Sequence, residues 1–331
     1  MPDILTTGEL LIDFTPVNAP GYAGAVYPNP GGAPGNVAVQ LARLGVSAGF
    51  AGKVGGDHFG RLLRQALDEN GVDTRALVDD PDFFTTLAFV HLTEEGDRSF
   101  SFCRKPGADT QLRWEEIGPS PLEGYRMLHF GSLSLTTEPG KSTTLRLVEE
   151  ARKMGLLVSY DPNWRPPLWP SQEAGVAGMS QGLELCHLLK VSEEELTLLT
   201  GCSSMTQGTE KLHSLGVQLI LVTLGPHGCV SSHMGQLCHH PTFNTKVIDT
   251  TGSGDSFWGA FLFQLMQNGF DTPEKLHTLD QAQLAGFCRF ANAAGSVCAT
   301  KPGGIPALPT LPAILACLSD CPLLETGFRI S

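Results

Sequence analysis

Apolar positions recur at two spacings along this chain, and the switch between them marks out its elements. From residue 126 onward short apolar runs alternate with stretches of helical period. Strands are predicted over 127–133, 156–160, 187–191 and 217–223, and helices over 145–154, through 182–185, over 193–199 and near Leu212. Such alternation predicts a parallel sheet covered on both faces by helices. After it, Cys229-Val230-Ser231, a Met234-Gly235 turn and residues 237–240 predict a hairpin.

The first third reads differently. Residues 4–5 and 10–14 are strand-like, interrupted by Thr6-Thr7-Gly8-Glu9, and the second run carries Asp13. Val37, Leu41 and Leu44 repeat at i, i+4 and i+7 before Gly45, which predicts a short buried helix. A second helix starts at Asp57, runs through Phe59, Leu62, Leu63, Ala66 and Leu67, and stops at Asn70-Gly71. Residues 87–92 and 98–104 alternate with period two about a Glu94-Glu95-Gly96-Asp97 turn, the pattern of a hairpin with one wet face.

Bulk composition narrows what this framework is for. A length of 331 residues with 41% hydrophobic content allows two domains or one large α/β domain, and no internal repeat or low-complexity linker divides the chain. The formal charge of −12 is scattered rather than blocked, which argues against a nucleic-acid or anionic-membrane surface and for small-molecule ligands. Nine cysteines, odd in number and without a C-x-x-C pair, fit reduced thiols in a cytoplasmic setting. No basic leader and no run of roughly 18 apolar residues suggests export or a membrane span.

Candidate chemistry concentrates at Asp249-Thr250-Thr251-Gly252-Ser253-Gly254-Asp255, just before a helix expected to begin near Asp255. Two glycines flanking a serine let the backbone turn tightly against a ligand, and the first turn of the helix offers unpaired N–H groups. That is an anion site. Asp255 would repel a phosphate, yet it suits a group that takes a proton from a hydroxyl beside one; helix capping is its other reading. The dinucleotide fingerprint fails because Phe257 stands where a third glycine belongs. The Walker pattern fails because Leu135 precedes Gly140-Lys141-Ser142, which reads as the start of a helix.

Further candidates lie where strands end, since ligands of such sheets sit beyond the carboxyl ends of strands. One strand delivers Asp161-Pro162-Asn163-Trp164-Arg165, the next Lys190 and Ser192, and the next Thr223, Gly225 and Gly228. Gly31 and Gly32 allow close backbone approach, and Asn36 offers an amide donor and acceptor or, alternatively, a helix cap. Asp13 can accept hydroxyl hydrogen bonds. Phe102 and Arg104, two apart on one strand, are expected to project to the same face, with a plain surface arginine as the alternative. His233, Cys238, His239 and His240 lack the spacing of a zinc site.

The segment from Asp249 to Asp255 with Phe257-Trp258-Gly259-Ala260 resembles the C-terminal signature of the ribokinase-like, or PfkB, carbohydrate kinases. Gly31-Gly32-Ala33-Pro34-Gly35-Asn36 and Val54 to Gly60 resemble the N-terminal signature of the same family, and such matches cover nearly the entire chain. The resemblance implies a single α/β domain over 1–331: a three-layer sandwich on a mostly parallel sheet, with a small β-lid from segments near 13–33 and 86–110. It implies ATP-dependent phosphorylation of a small sugar, with fructokinase-like members nearest and fructose 6-phosphate as product. A 2-keto-3-deoxygluconate kinase, another sugar or nucleoside kinase, and a catalytically silent sugar sensor are the alternatives.

Residue by residue, the resemblance makes Asp255 the base and Gly252, Ser253 and Gly254 the anion hole. Asp13, Gly31, Gly32, Asn36, Phe102, Arg104, Asn163 and Arg165 become sugar contacts, the last two from a D-P-N-x-R segment common in fructokinases and 2-keto-3-deoxygluconate kinases. Lys190, Ser192, Glu195, Thr223, Gly225, Gly228 and Asn292 fall on the nucleotide side. Ser192 stands where the family commonly carries Asn. Glu195 would hold water on Mg²⁺, Asp249 and Thr251 match a monovalent-cation site for K⁺, and a homodimer through the lid is compatible with the pattern.

Overall fold

Side chains of the large sheet divide by parity, because helices cover both of its faces. In the strand Leu219–Thr223, Leu219 and Leu221 join one core while Ile220 and Val222 join the other. The computed structural model describes residues 3–16, 24–92 and 98–330.

Among these residues the strands are β1 (Ile4–Thr7), β2 (Leu11–Pro16), β3 (Val26–Gly31), β4 (Ala48–Gly55), β5 (Asp73–Asp80), β6 (Leu87–Leu92), β7 (Arg98–Cys103), β8 (Met127–Gly131), β9 (Leu157–Asp161), β10 (Leu188–Ser192), β11 (Leu219–Thr223), β12 (Cys229–His233) and β13 (Gln236–His240). The helices are α1 (Ala33–Arg43), α2 (His58–Glu69), α3 (Gly140–Lys153), α4 (Gln172–Leu183), α5 (Glu193–Thr200), α6 (Met205–Ser214), α7 (Ser253–Gln267), α8 (Pro273–Leu276), α9 (Gln281–Cys298) and α10 (Leu311–Asp320). None of these helices is long and apolar enough to cross a membrane.

The large sheet has the order β13-β12-β11-β10-β9-β8-β1-β4-β5, parallel from β11 to β5 and antiparallel at β12 and β13. One face packs on α1, α7 and α9 through Leu41, Trp258, Phe261 and Phe287. The other packs on α3 to α6 through Leu147, Leu183, Leu196 and Leu212. This is the mixed α/β sandwich the alternation predicts. Because β1 sits between β4 and β8, the chain winds first to one side and then to the other, which opens a crevice at the carboxyl ends of the central strands.

A second, four-stranded sheet, β3-β2-β6-β7, stands at that crevice. Its β6–β7 pairing is antiparallel, with Leu87 opposite Cys103, as the period-two pattern predicts. The turn expected at 94–97 lies outside the described residues. Two strands of the large sheet went unforeseen, β4 and β5. The first carries Gly49, Gly52 and Gly55 and a buried Lys53 that is salt-bridged to Asp80 at 2.8 Å, so no apolar alternation announces it. Helix α3 begins at Gly140, as the helix start read at Gly140-Lys141-Ser142 predicts, ahead of the apolar period at 145–154, and the strand expected to reach Leu133 ends at Gly131.

Candidate active site

Helix α7 begins two residues earlier than its sequence suggests, and this decides the role of Asp255. Gly252 is the N-cap, with φ 77°, a left-handed conformation that glycine adopts without a Cβ penalty. Asp255 is therefore inside the first turn and caps nothing. Its Oδ2 instead accepts a hydrogen bond from Asn36 Nδ2 at 2.7 Å. Asn36 is no cap either, because α1 starts at Ala33 behind Gly32. The two glycine motifs, more than two hundred residues apart in sequence, meet through these side chains.

Packing enforces the meeting. Ser256 Oγ donates to Gln40 Oε1 at 3.0 Å, and a Cβ on Gly259 would stand 2.9 Å from Gln40 Cβ, so α7 lies close against α1. Trp258, fully buried, donates from Nε1 to Ser159 Oγ on β9 at 2.9 Å and fixes α7 to the sheet. At the helix start, Ser253 N–H donates to Thr250 O at 3.1 Å. The amides of Gly254 and Asp255 follow, and helix geometry gives these no intrahelical acceptor.

Charge is concentrated here. Lys190 Nζ donates to Asp161 Oδ2 at 2.7 Å, both groups buried. Burial opposes the Lys190 charge, but Asp161, Glu195 and Asp255 together hold its pKa above the usual lysine value. Asp255 is itself raised: burial drives the shift, Lys190 and the Asn36 hydrogen bond oppose it, and Asp161 adds to it. Burial pushes Asp13 up to about 7, against the pull of Arg165 and with the help of Asp255 and Asp249.

Two cavities share this corner. The first, about 390 Å³, takes Asp13 and Phe102 from the small sheet, Gly32 and Asn36 at the start of α1, and Asn163, Arg165, Lys190, Ser192 and Glu195 from the strand ends; Thr251, Gly252, Gly254 and Asp255 lie along the α7 turn. The second, about 520 Å³, takes Thr223, Gly225 and Gly228 from the loop after β11, Ser253 from α7 and Asn292 from α9. Thr250 and Gly254 line both. Asn292 Nδ2 donates to His240 O at 3.0 Å and Pro241 O at 3.2 Å, which ties α9 to the chain leaving β13.

Several expected contacts are placed otherwise. Arg104 does not share a cavity face with Phe102. It lies past the end of β7, and its guanidinium is buried in an ion pair with Asp109 at 2.6 Å, with further donations to Thr136 Oγ1 at 2.9 Å and Leu133 O at 2.8 Å. Gly31 is among the lining residues of neither of these two cavities but backs Asp13, whose Oδ2 would be 2.5 Å from a Cβ there. Glu195 and Ser192 form a capping box on α5, and Glu195 Oε1 also accepts from Trp164 N at 2.6 Å. The carboxylate of Asp249 accepts from Thr251 N at 2.7 Å and Gly303 N at 3.0 Å. Among the described residues no group of three or more His, Cys, Asp or Glu side chains is arranged to hold a metal ion.

Sequence reasoning missed Glu9. It is buried in the first cavity, accepts from Ala33 N through Oε1 at 3.0 Å, and has no partner for Oε2. Burial pushes it up to about 7. No local signal marks it, because Asp3 and Asp13 are carboxylates of the same stretch and the preceding Thr6-Thr7-Gly8 is polar. Asp161 stood in a segment singled out for its Asn and Arg, and its pairing with Lys190 was not anticipated.

Comparison with known proteins settles the lineage. The pfkB family carbohydrate kinase profile matches residues 1–311. The chain belongs to the pfkB family of carbohydrate kinases. Among its relatives, fructokinase-1 of Oryza sativa subsp. japonica is 42% identical over 93% of this chain and 94% of its own length. The crystal structure of the Xylella fastidiosa fructokinase with bound ATP superposes with a TM-score of 0.88 at 34% identity, covering 96% of this chain and 98% of that one. A double-mutant fructokinase of Vibrio cholerae O395, in a form bound to fructose, ADP and potassium ion, reaches 0.86 at 34% identity, covering 96% and 98%. Both glycine motifs that α1 and α7 bring together lie within the matched residues.

Proposed function

We propose that this pfkB-family chain phosphorylates fructose with ATP, giving fructose 6-phosphate. The observation that carries the reading is the position of Asp255: fixed by Asn36, raised by burial, and lining the charged cavity one residue from Gly254, which opens onto both cavities. The sugar occupies the charged cavity and the nucleotide the other. Asp255 takes the proton from the attacking hydroxyl as the oxygen–phosphorus bond forms and the bond from the γ-phosphorus to its bridging oxygen breaks, releasing ADP. A raised carboxylate pKa suits a general base, because it narrows the gap to the hydroxyl proton it must accept.

The residues present fit a phosphate. A Cβ on Gly254 would stand 3.1 Å from Lys190 Nζ, so the turn leaves room at a cation and a helix N-terminus where a bulkier residue would intrude. Lys190 and the Gly254 and Asp255 amides hold the charge of the transferring group. Mg²⁺, when bound, neutralises phosphate charge; Glu194 and Glu195 supply oxygens to the same cavity, the hard donor type this ion takes directly or through water. The loop of Asp249 and Thr251 is the proposed K⁺ site, and activation by K⁺ over Na⁺ at matched ionic strength is expected; equal rates in the two salts would remove it. Phe84, Tyr27 and Val26 are exposed beside and on the small sheet, which acts as the lid of the single domain and is the proposed homodimer face.

Fructose is preferred over an acidic sugar for a specific reason. A clamp of Arg104 and Arg165 on the carboxylate of 2-keto-3-deoxygluconate would be the case for the acid, and Arg104 is already committed to Asp109. Above about pH 7, where Asp13 is ionised, it adds repulsion. With saturating MgATP, kcat/KM for fructose should exceed that for 2-keto-3-deoxygluconate, and Asp13→Ala should lower the fructose value about tenfold or more. Preference for the acid, or an Asp13→Ala variant equal to the parent, would overturn the assignment.

A further inference from the structure

The family match ends at residue 311, while the chain continues to residue 331. After α10 the chain turns back across the nucleotide cavity. Asn244 N donates to Pro322 O and Leu324 N to Thr242 O, each at 2.9 Å, with Phe243 and Leu323 forming an antiparallel bridge. Beyond the bridge, burial alternates: Leu324, Thr326, Phe328 and Ile330 are half-buried and Glu325, Gly327 and Arg329 exposed. Period two is the mark of an extended segment laid along a surface with one face down.

That face meets the nucleotide site at two points. Leu324 lines the second cavity together with Thr242 and Phe243, the residues it is tied to. Phe328 sets its ring 4.9 Å from that of His239 and 5.7 Å from that of His227, and His239 Nε2 lies 2.6 Å from His227 O. His227 belongs to the loop from Thr223 to Gly228. At its far end this loop is pinned, because Gly228 presses on His240 so closely that a Cβ would be 2.1 Å from the carbonyl. The aromatic contact steadies the middle.

We infer that residues 322–330 are a strap belonging to the nucleotide site, with Leu324 a wall residue and Phe328 a positioning residue that holds the Thr223–Gly228 loop ready for an adenine nucleotide. The inference rests on reading the second cavity as the ATP site. Ordering the loop in advance removes an entropic cost from nucleotide binding and leaves the sugar cavity untouched. The effect is therefore on KM for ATP, not on kcat at saturating ATP or on KM for fructose.

The test compares the parent with Phe328→Ala, Phe328→Tyr and Leu324→Ala, measuring both KM values, kcat and direct MgATP binding by calorimetry. Phe328→Ala should weaken ATP binding about tenfold and raise its KM in step. Phe328→Tyr, which keeps the ring, should stay within about twofold of the parent, and fructose KM should not move. Parental ATP affinity in Phe328→Ala, or an equal rise in both KM values, would overturn the strap. A parent that binds MgATP but does not phosphorylate fructose would instead overturn the proposed acceptor, and calorimetry on the same variants would still decide the strap.

Discussion

The two cavities that meet at Thr250 and Gly254 are built from opposite materials. The smaller is lined by Glu9, Asp13, Arg165, Lys190, Glu194, Glu195 and Asp255, whereas the larger has no charged residue among those lining it. The difference teaches where each kind of work is done. Proton removal and phosphoryl transfer need fixed charges, and fixed charges in a protein interior need partners such as Asn36 and Asp161. A nucleotide base needs area and shape, which in the proposed nucleotide cavity Phe243, Val247 and Leu324 would supply without titrating.

The contrast can be broken most severely at Asp255. Asp255→Asn keeps the shape and the neighbours but cannot take the proton, so kcat should fall by about 10² to 10⁴ while MgATP and fructose still bind in calorimetry. Turnover within about tenfold of the parent would show that the charged cavity does not house the base.

Glu9 gives the next largest effect, on stability. Its carboxyl titrates near 4.5 when unperturbed and at about 7 when folded. Between those values the folded state holds a proton that the unfolded state has released, so stability is lost as pH rises through the window. The loss is on the order of 3 kcal/mol from this group, and Asp13 adds to it with the same sign. Glu9→Gln should flatten the fall in urea midpoint over this window. A parent and variant that fall in parallel would place the titration elsewhere.

The smallest effect probes the apolar side. Val247 lines the larger cavity, the proposed nucleotide site, yet is 61% exposed, so Val247→Asp should fold normally. The new carboxylate should raise KM for ATP about tenfold by repulsion and leave kcat at saturating ATP unchanged. An equal fall in kcat would mean that the division of labour is not clean.

The same contrast explains what the sequence made legible. Parallel strands such as β11 announce themselves because both faces are buried and the run is apolar up to its last residue, Thr223. Strand β4 does not, since its glycines and buried Lys53 make sense only once Asp80 of β5 lies beside it. Within the site, the turn from Gly252 to Asp255 is a local device and could be read locally. Glu9 could not be read, because its role depends on the N-terminus of α1 folding back to it. Arg104 misled for a related reason: strand periodicity places its side chain with Phe102, but the strand stops at Cys103 and Asp109 captures it. Leu324 and Phe328 lie in a stretch with no motif and acquire a role from what the chain crosses.

The close contact between α1 and α7 has a consequence for inheritance. Asn36 reaches Asp255 only while Gln40 meets Ser256 and Gly259 leaves room between the helices. The two glycine motifs are therefore halves of one seam, although most of the chain separates them in sequence. A side chain grown at Gly259 would lever Asn36 away from Asp255 without entering either cavity. Recombination between this chain and a relative, with a crossover anywhere between residues 41 and 255, would yield a working enzyme only where the two parents agree along that seam.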